Sequence, residues 1–144
     1  MLEIEQVNHI GIRIGDKTRS VAFYSLLGFK QLDDAGFEQG HPIIMRHPCG
    51  VVLNLLGPST VAGVSNVLMD IEAKHAGITH FALTVSSLAR TKAFLQQHGI
   101  EITGAFSFKG MSAVFIRDPD RNVIELDAYD AGETDDLAGY SNHV

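Results

Sequence analysis

The chain repeats itself: sliding the sequence by 71 positions (80 − 9) lays residues 7–56 on residues 78–127 without a gap. His9 falls on His80, Arg19 on Arg90, Ala22 on Ala93, Phe23 on Phe94 and Gly28 on Gly99. Farther along, Phe37, Arg46 and Pro48 fall on Phe108, Arg117 and Pro119. Identity is low, but apolar spacing and turn residues align with these matches. At 144 residues the chain has the size of one ordinary domain. The expected organisation is therefore one domain over 1–144: module 1 at about 5–56, a connection at 57–77, module 2 at about 78–128 and an acidic tail at 130–144.

Each module reads in the same order. Val7 to Ile14 alternates as a strand, with Ile10, Ile12 and Ile14 on one face and His9, Gly11 and Arg13 on the other. Asp16 is placed to cap a helix running through Leu27, and Gly28 to stop it. Strand-like runs follow near 29–34, 41–46 and 51–56, the last two joined by His47-Pro48-Cys49-Gly50. Module 2 predicts a strand at 78–85, a Ser87 cap, a helix at 88–98, a stop at Gly99 and strands near 101–107, 111–117 and 122–128. The tail from Asp130 reads as a mobile segment or one that docks on a partner.

Composition narrows the function classes. Seventeen acidic against eleven basic side chains give a net charge of −6, so nothing draws the chain to phosphate backbones or anionic lipid. Neither nucleic acid nor membrane is an expected partner. No apolar run reaches the roughly 18 residues of a membrane span, and the opening residues carry acids where a secretory signal carries bases. The mature chain is thus expected to start near Met1. A lone cysteine, Cys49, excludes an intrachain disulfide and fits a cytoplasmic location.

The alternation decides which side chains meet. Phe81, Leu83 and Val85 take the core face of their strand, leaving His80, Ala82 and Thr84 opposite. Ile124 and Leu126 are the core pair of the closing strand, so Glu125 points away with Val123 and Asp127. The repeat equates Glu125 with Asn54 (125 − 54 = 71). A pseudo-two-fold pairing of the modules would gather His9, Asn54, His80 and Glu125. Two imidazoles and a carboxylate make a divalent metal site with open positions, and Gly11 and Ala82 leave room for a ligand. A strand histidine taken alone is usually only a half-buried polar residue; the coincidence under the repeat is what singles out His9 and His80. His41, His47, His75, His98 and His143 lack that support and read as ordinary polar residues. Asn54 is a weak ligand or a partner for bound water.

Three stretches carry a resemblance: Val7-Asn8-His9-Ile10-Gly11-Ile12, Thr79-His80-Phe81-Ala82-Leu83 and Asp118-Pro119-Asp120-Arg121-Asn122-Val123-Ile124-Glu125-Leu126. Together they resemble the vicinal oxygen chelate superfamily, which includes glyoxalase I, methylmalonyl-CoA epimerase, extradiol dioxygenases, fosfomycin-modifying enzymes and bleomycin-binding proteins. The resemblance covers residues 7–127 and is specific to the superfamily rather than to one member. It implies an α+β fold of two tandem βαβββ modules, whose curved mixed sheet forms a half-barrel around a metal site, and often a homodimer. It also implies one divalent ion per site, Fe, Mn, Zn, Ni or Co, held by His9, His80 and Glu125.

Departures from each subfamily narrow the chemistry. Glyoxalase I usually has Glu or Gln where Asn54 stands, and Asn54 cannot take a proton. Epimerases resemble this pattern more, with an amide there and a glutamate base on a nearby strand, for which Glu38 is the candidate. Ring-cleaving dioxygenases would put Tyr at Phe115, His within Phe106 to Phe108 and Gly at Arg121. Fosfomycin enzymes would put Lys at Ala105, and bleomycin-type binders lack the ligands. The leading expectation is a metal-dependent lyase or isomerase acting on a small molecule that chelates the ion through adjacent oxygens. Glu38 or Glu125 would move the proton, while Arg13, Thr84, Asp127 and Asn54 would orient the substrate. Dioxygenase, thiol transferase and a non-enzymatic small-molecule binder remain the alternatives.

Overall fold

The computed structural model describes residues 1–129. The acidic tail expected at 130–144, and its docking, lie outside the described residues. The chain divides into two compact units, Met1–Gly63 and a second that begins at Val64.

The first unit runs β1 (Ile10–Arg13), α1 (Lys17–Leu26), β2 (Lys30–Asp34), a 3-10 turn (Phe37–Gln39), β3 (Ile43–Arg46) and β4 (Val52–Leu56). The second runs β5 (His80–Thr84), α2 (Leu88–Gln97), β6 (Ile102–Phe108), β7 (Met111–Arg117) and β8 (Val123–Ala128). Their open mixed sheets have equivalent orders, β1-β4-β3-β2 and β5-β8-β7-β6. In each, the first strand pairs parallel with the last and the remaining pairs are antiparallel. The two-module α+β architecture expected from the sequence is therefore the one observed.

The repeat reaches into local details. Asp16 Oδ1 accepts from the Arg19 amide at 2.7 Å, and Ser87 Oγ accepts from the Arg90 amide at 3.3 Å, each satisfying an otherwise orphan donor of its helix. Both helices end on a left-handed glycine, Gly28 (φ 98°) and Gly99 (φ 64°). The following amides close back on the helix, Phe29 to Tyr24 O at 3.0 Å and Ile100 to Leu95 O at 2.9 Å. Even the β-bulge recurs, between Gln31 and Asp33 in one sheet and Ile102 and Gly104 in the other.

In the first unit burial follows the alternation. Ile12, Ile14, Ile43, Met45, Leu53 and Leu55 fill the core face of the first sheet, with Tyr24 of α1 also buried. In the second unit, Val114, Ile116, Ile124 and Leu126 are buried along with Leu88 and Leu95 of α2. Several edges differ from expectation, among them β3, which begins at Ile43, and β5, which spans His80–Thr84. The first strand begins at Ile10 rather than Val7, its first ladder partner being Leu53 of β4. The 3-10 turn at Phe37–Gln39 puts Glu38 on a turn rather than a strand. Phe37 is 2% exposed and lies where any β-carbon on Gly57 would have to go, 2.0 Å from its ring.

Candidate functional site

In the second unit, β8 lies between β5 and β7, and side chains on both of its faces are buried. Glu125, expected to leave the core side, is only 7% exposed, with Ala82 on one flank and Phe115 on the other. Its Oε2 stands 2.9 Å from Nε2 of His80, the first residue of β5. The His80 ring meets Phe115 edge-on with centroids 5.8 Å apart, and Phe115 stacks in turn on Phe106. On its far side, His80 Nδ1 is 2.9 Å from the Thr79 hydroxyl. A hydroxyl serves either imidazole tautomer, since it both donates and accepts.

This pair fits the donor set of a divalent ion. With bonds of about 2.1 Å, two neighbouring ligands of one ion lie roughly 3 Å apart, close to the separation of the two donor atoms. The Thr79 contact is of the kind that orients a ligating imidazole. Among the described residues no group of three or more His, Cys, Asp or Glu is assembled around one point, so the second unit supplies two donors.

The first unit presents its counterpart histidine in the same manner. His9 is exposed just ahead of β1, with Nδ1 2.8 Å from Asn8 Oδ1. An amide oxygen only accepts, so Nδ1 is the donor of this pair. Asn8 and Thr79 are themselves repeat equivalents (79 − 8 = 71). Asn54, half-buried in β4, sits beside Gly11 and Ile44 on the face away from the core.

A family model described as the Glyoxalase/Bleomycin resistance protein/Dioxygenase superfamily matches residues 6–126. The chain belongs to this superfamily. No curated protein matches it closely enough to add a specific activity. Solved structures of superfamily type share the fold. A glyoxalase/dioxygenase from Nostoc punctiforme is 22% identical with a TM-score of 0.68, over 85% of this chain and 90% of that one. A glyoxalase family protein from Enterococcus faecalis is 23% identical with a TM-score of 0.65, over 85% and 97%. An antibiotic binding protein from a Streptomyces species is 20% identical with a TM-score of 0.63, over 89% and 98%. Proteins described as glyoxalase/dioxygenase and as antibiotic binding thus share this fold, and the chemistry has to be argued from side chains.

Among the remaining candidates, Asp127 is the most unusual. It is 7% exposed, and its Oδ1 is fully buried without a hydrogen-bond partner among the described residues. It shares the Glu125 face, opposite Thr84 of β5 and Ala113 of β7. An acceptor buried this way costs stability unless something donates to it. Thr84 and Arg13 are exposed at the ends of β5 and β1, and Glu38 is exposed on the 3-10 turn. Sequence reasoning missed Asn8 and Thr79 as orienting partners. Their signal was present, a side-chain oxygen directly before each repeated histidine.

Proposed function

We propose that this member of the glyoxalase superfamily is a metal-dependent lyase or isomerase acting on a small molecule with two adjacent oxygens. The observation that carries the reading is the His80 Nε2–Glu125 Oε2 approach of 2.9 Å, with the carboxylate buried in an interior strand. His9, His80 and Glu125 would hold a divalent ion, whether Fe, Mn, Zn, Ni or Co. Such an ion, when bound, polarises a substrate carbonyl and so acidifies the neighbouring carbon. The chain's own part is to place proton acceptors. Glu125 is one candidate, buried between its cross-strand neighbours Ala82 and Phe115, and Glu38, exposed beside buried Phe37, is the other. Asp127 and Thr84 offer an acceptor and a hydroxyl on the same face as Glu125, and Arg13 and Asn54 do the corresponding service in the first unit. We further propose a homodimer working in the cytoplasm.

Elemental analysis of purified protein tests the reading, with about one divalent ion per chain expected. Protein that is metal-free and also refuses Fe, Mn, Zn, Ni and Co in titration would overturn it in favour of a small-molecule binder. Oxygen consumption with catechols by the Fe(II)-loaded chain would instead make it a dioxygenase.

A further inference from the structure

The first sheet carries a cationic pair that its repeat copy does not. Lys30 of β2 and Arg46 of β3 are directly opposite in the antiparallel ladder, hence on the same face. Both are exposed, and neither makes an ion pair or side-chain hydrogen bond among the described residues. Like charges directly opposite one another destabilise a ladder. The repeat equivalents are Glu101 (101 − 30 = 71) and Arg117 (117 − 46 = 71), so in the second unit the first of the two positions is acidic. There the guanidinium is also neutralised from within, because Asp70 Oδ1 lies 3.1 Å from Arg117 Nη2 and the Arg121 carbonyl accepts from Nη1 at 2.9 Å. An internal carboxylate thus occupies in one unit the role that nothing among the described residues takes in the other.

The cationic pair also borders open space. Two adjoining cavities of about 290 and 350 Å³ share Leu32, Arg46 and Gly50. Lys30, His47 and Pro48 also line the first, and Gln6, Val7, Asn8, Ile44 and Val52 the second. Arg46 and Val52 are cross-strand partners, as are Ile44 and Asn54. The trough therefore lies on the sheet face that also carries Asn54 and Gly11.

We propose that this trough binds an organic carboxylate, its head between Lys30 and Arg46 and its apolar body on Leu32, Ile44 and Val52. Charge complementarity selects an anion, the Asp70 contact in the sister unit selects a carboxylate, and the apolar floor selects a hydrocarbon portion. That the carboxylate belongs to the enzyme's substrate rests on the metal-dependent reading above; the binding itself does not.

Calorimetric titration of octanoate into the metal-free full chain tests the proposal, with 1-octanol and inorganic phosphate as comparison probes. Octanoate is expected to bind more tightly than either, and Arg46→Gln to weaken it by about tenfold, the loss of one charge-assisted hydrogen bond. Lys30→Gln should weaken it less, and Arg46→Lys should restore part of the affinity. Circular dichroism of each variant guards against unfolding. Octanoate that fails to bind at millimolar concentration, or binds folded Arg46→Gln as well as the parent, would overturn the site. Phosphate binding as tightly as octanoate would overturn the role of the apolar floor. Since no metal is present, failure here leaves the metal site standing, and a metal-free chain that binds octanoate leaves this site standing.

Discussion

At the scale of single residues, ligand and packing roles are separable by truncation. His80→Ala, Glu125→Ala and His9→Ala should each lower metal affinity at least about tenfold, since changes even to the partners of metal ligands have effects of that order. Thr79→Val and Asn8→Ala should weaken it less, through a freed imidazole. Asn54→Ala should have the smallest effect. Following thermal stability while titrating metal into each apo variant checks this, and a His80→Ala chain that binds like the parent would sink the assignment. Asp127 invites a different measurement. Its Oδ1, buried without a hydrogen-bond partner among the described residues, costs stability rather than adding to it. Asp127→Asn is therefore expected to leave the melting temperature unchanged or raise it while impairing substrate turnover. A clear fall in melting temperature would mean that the carboxylate is structural.

At the scale of elements, two contacts hold loops onto their own units. The ring of Phe37 lies against Gly57, with Cζ 2.0 Å from the position of an added β-carbon. Gly57→Ala should push Phe37 out of its pocket and cost about 1–3 kcal/mol, the usual price of overpacking. Chemical denaturation would show it as a lower midpoint. In the second unit, Asp70 receives Arg121 Nε at 2.6 Å and lies near Arg117 as well. The Arg121 hydrogen bond, aided by the Asn66 amide and the charge of Arg117, outweighs burial and lowers the Asp70 carboxyl to about 2. Because the folded value lies below the unfolded one, the stabilisation is complete above about pH 4 and is lost as the pH falls toward 2. Asp70→Asn should remove that part of the acid sensitivity. Urea unfolding at pH 3 and pH 6 would show a smaller difference for the variant than for the parent.

At the scale of the whole molecule, the homodimer proposal makes a plain prediction. Each four-stranded sheet ends on two edge strands, β1 and β2 in one unit and β5 and β6 in the other, and strand edges invite pairing. Light scattering should give twice the 15.6 kDa chain mass across micromolar concentrations. A mass of one chain throughout would refute the dimer.

The sequence by itself determined the architecture: the 71-residue offset between repeat copies predicts two like modules, and both caps, both glycine stops and both sheet orders agree with it. Period-two alternation also put Glu125 and Asp127 on one face with His80 and Thr84, as the register shows. These features are local or repeated, so neighbouring residues suffice to express them. Other features depend on contacts distant in the chain. The His80–Glu125 approach spans 45 positions (125 − 80). The interior place of β8, between β5 and β7, depends on which strands pair. Likewise, Lys30 and Arg46 stand 16 positions apart in sequence (46 − 30) and become a cationic pair only through the register of β2 on β3. Alternation assigns a side chain to a face, but strand order and register decide what stands beside it there, and tertiary pairing sets both.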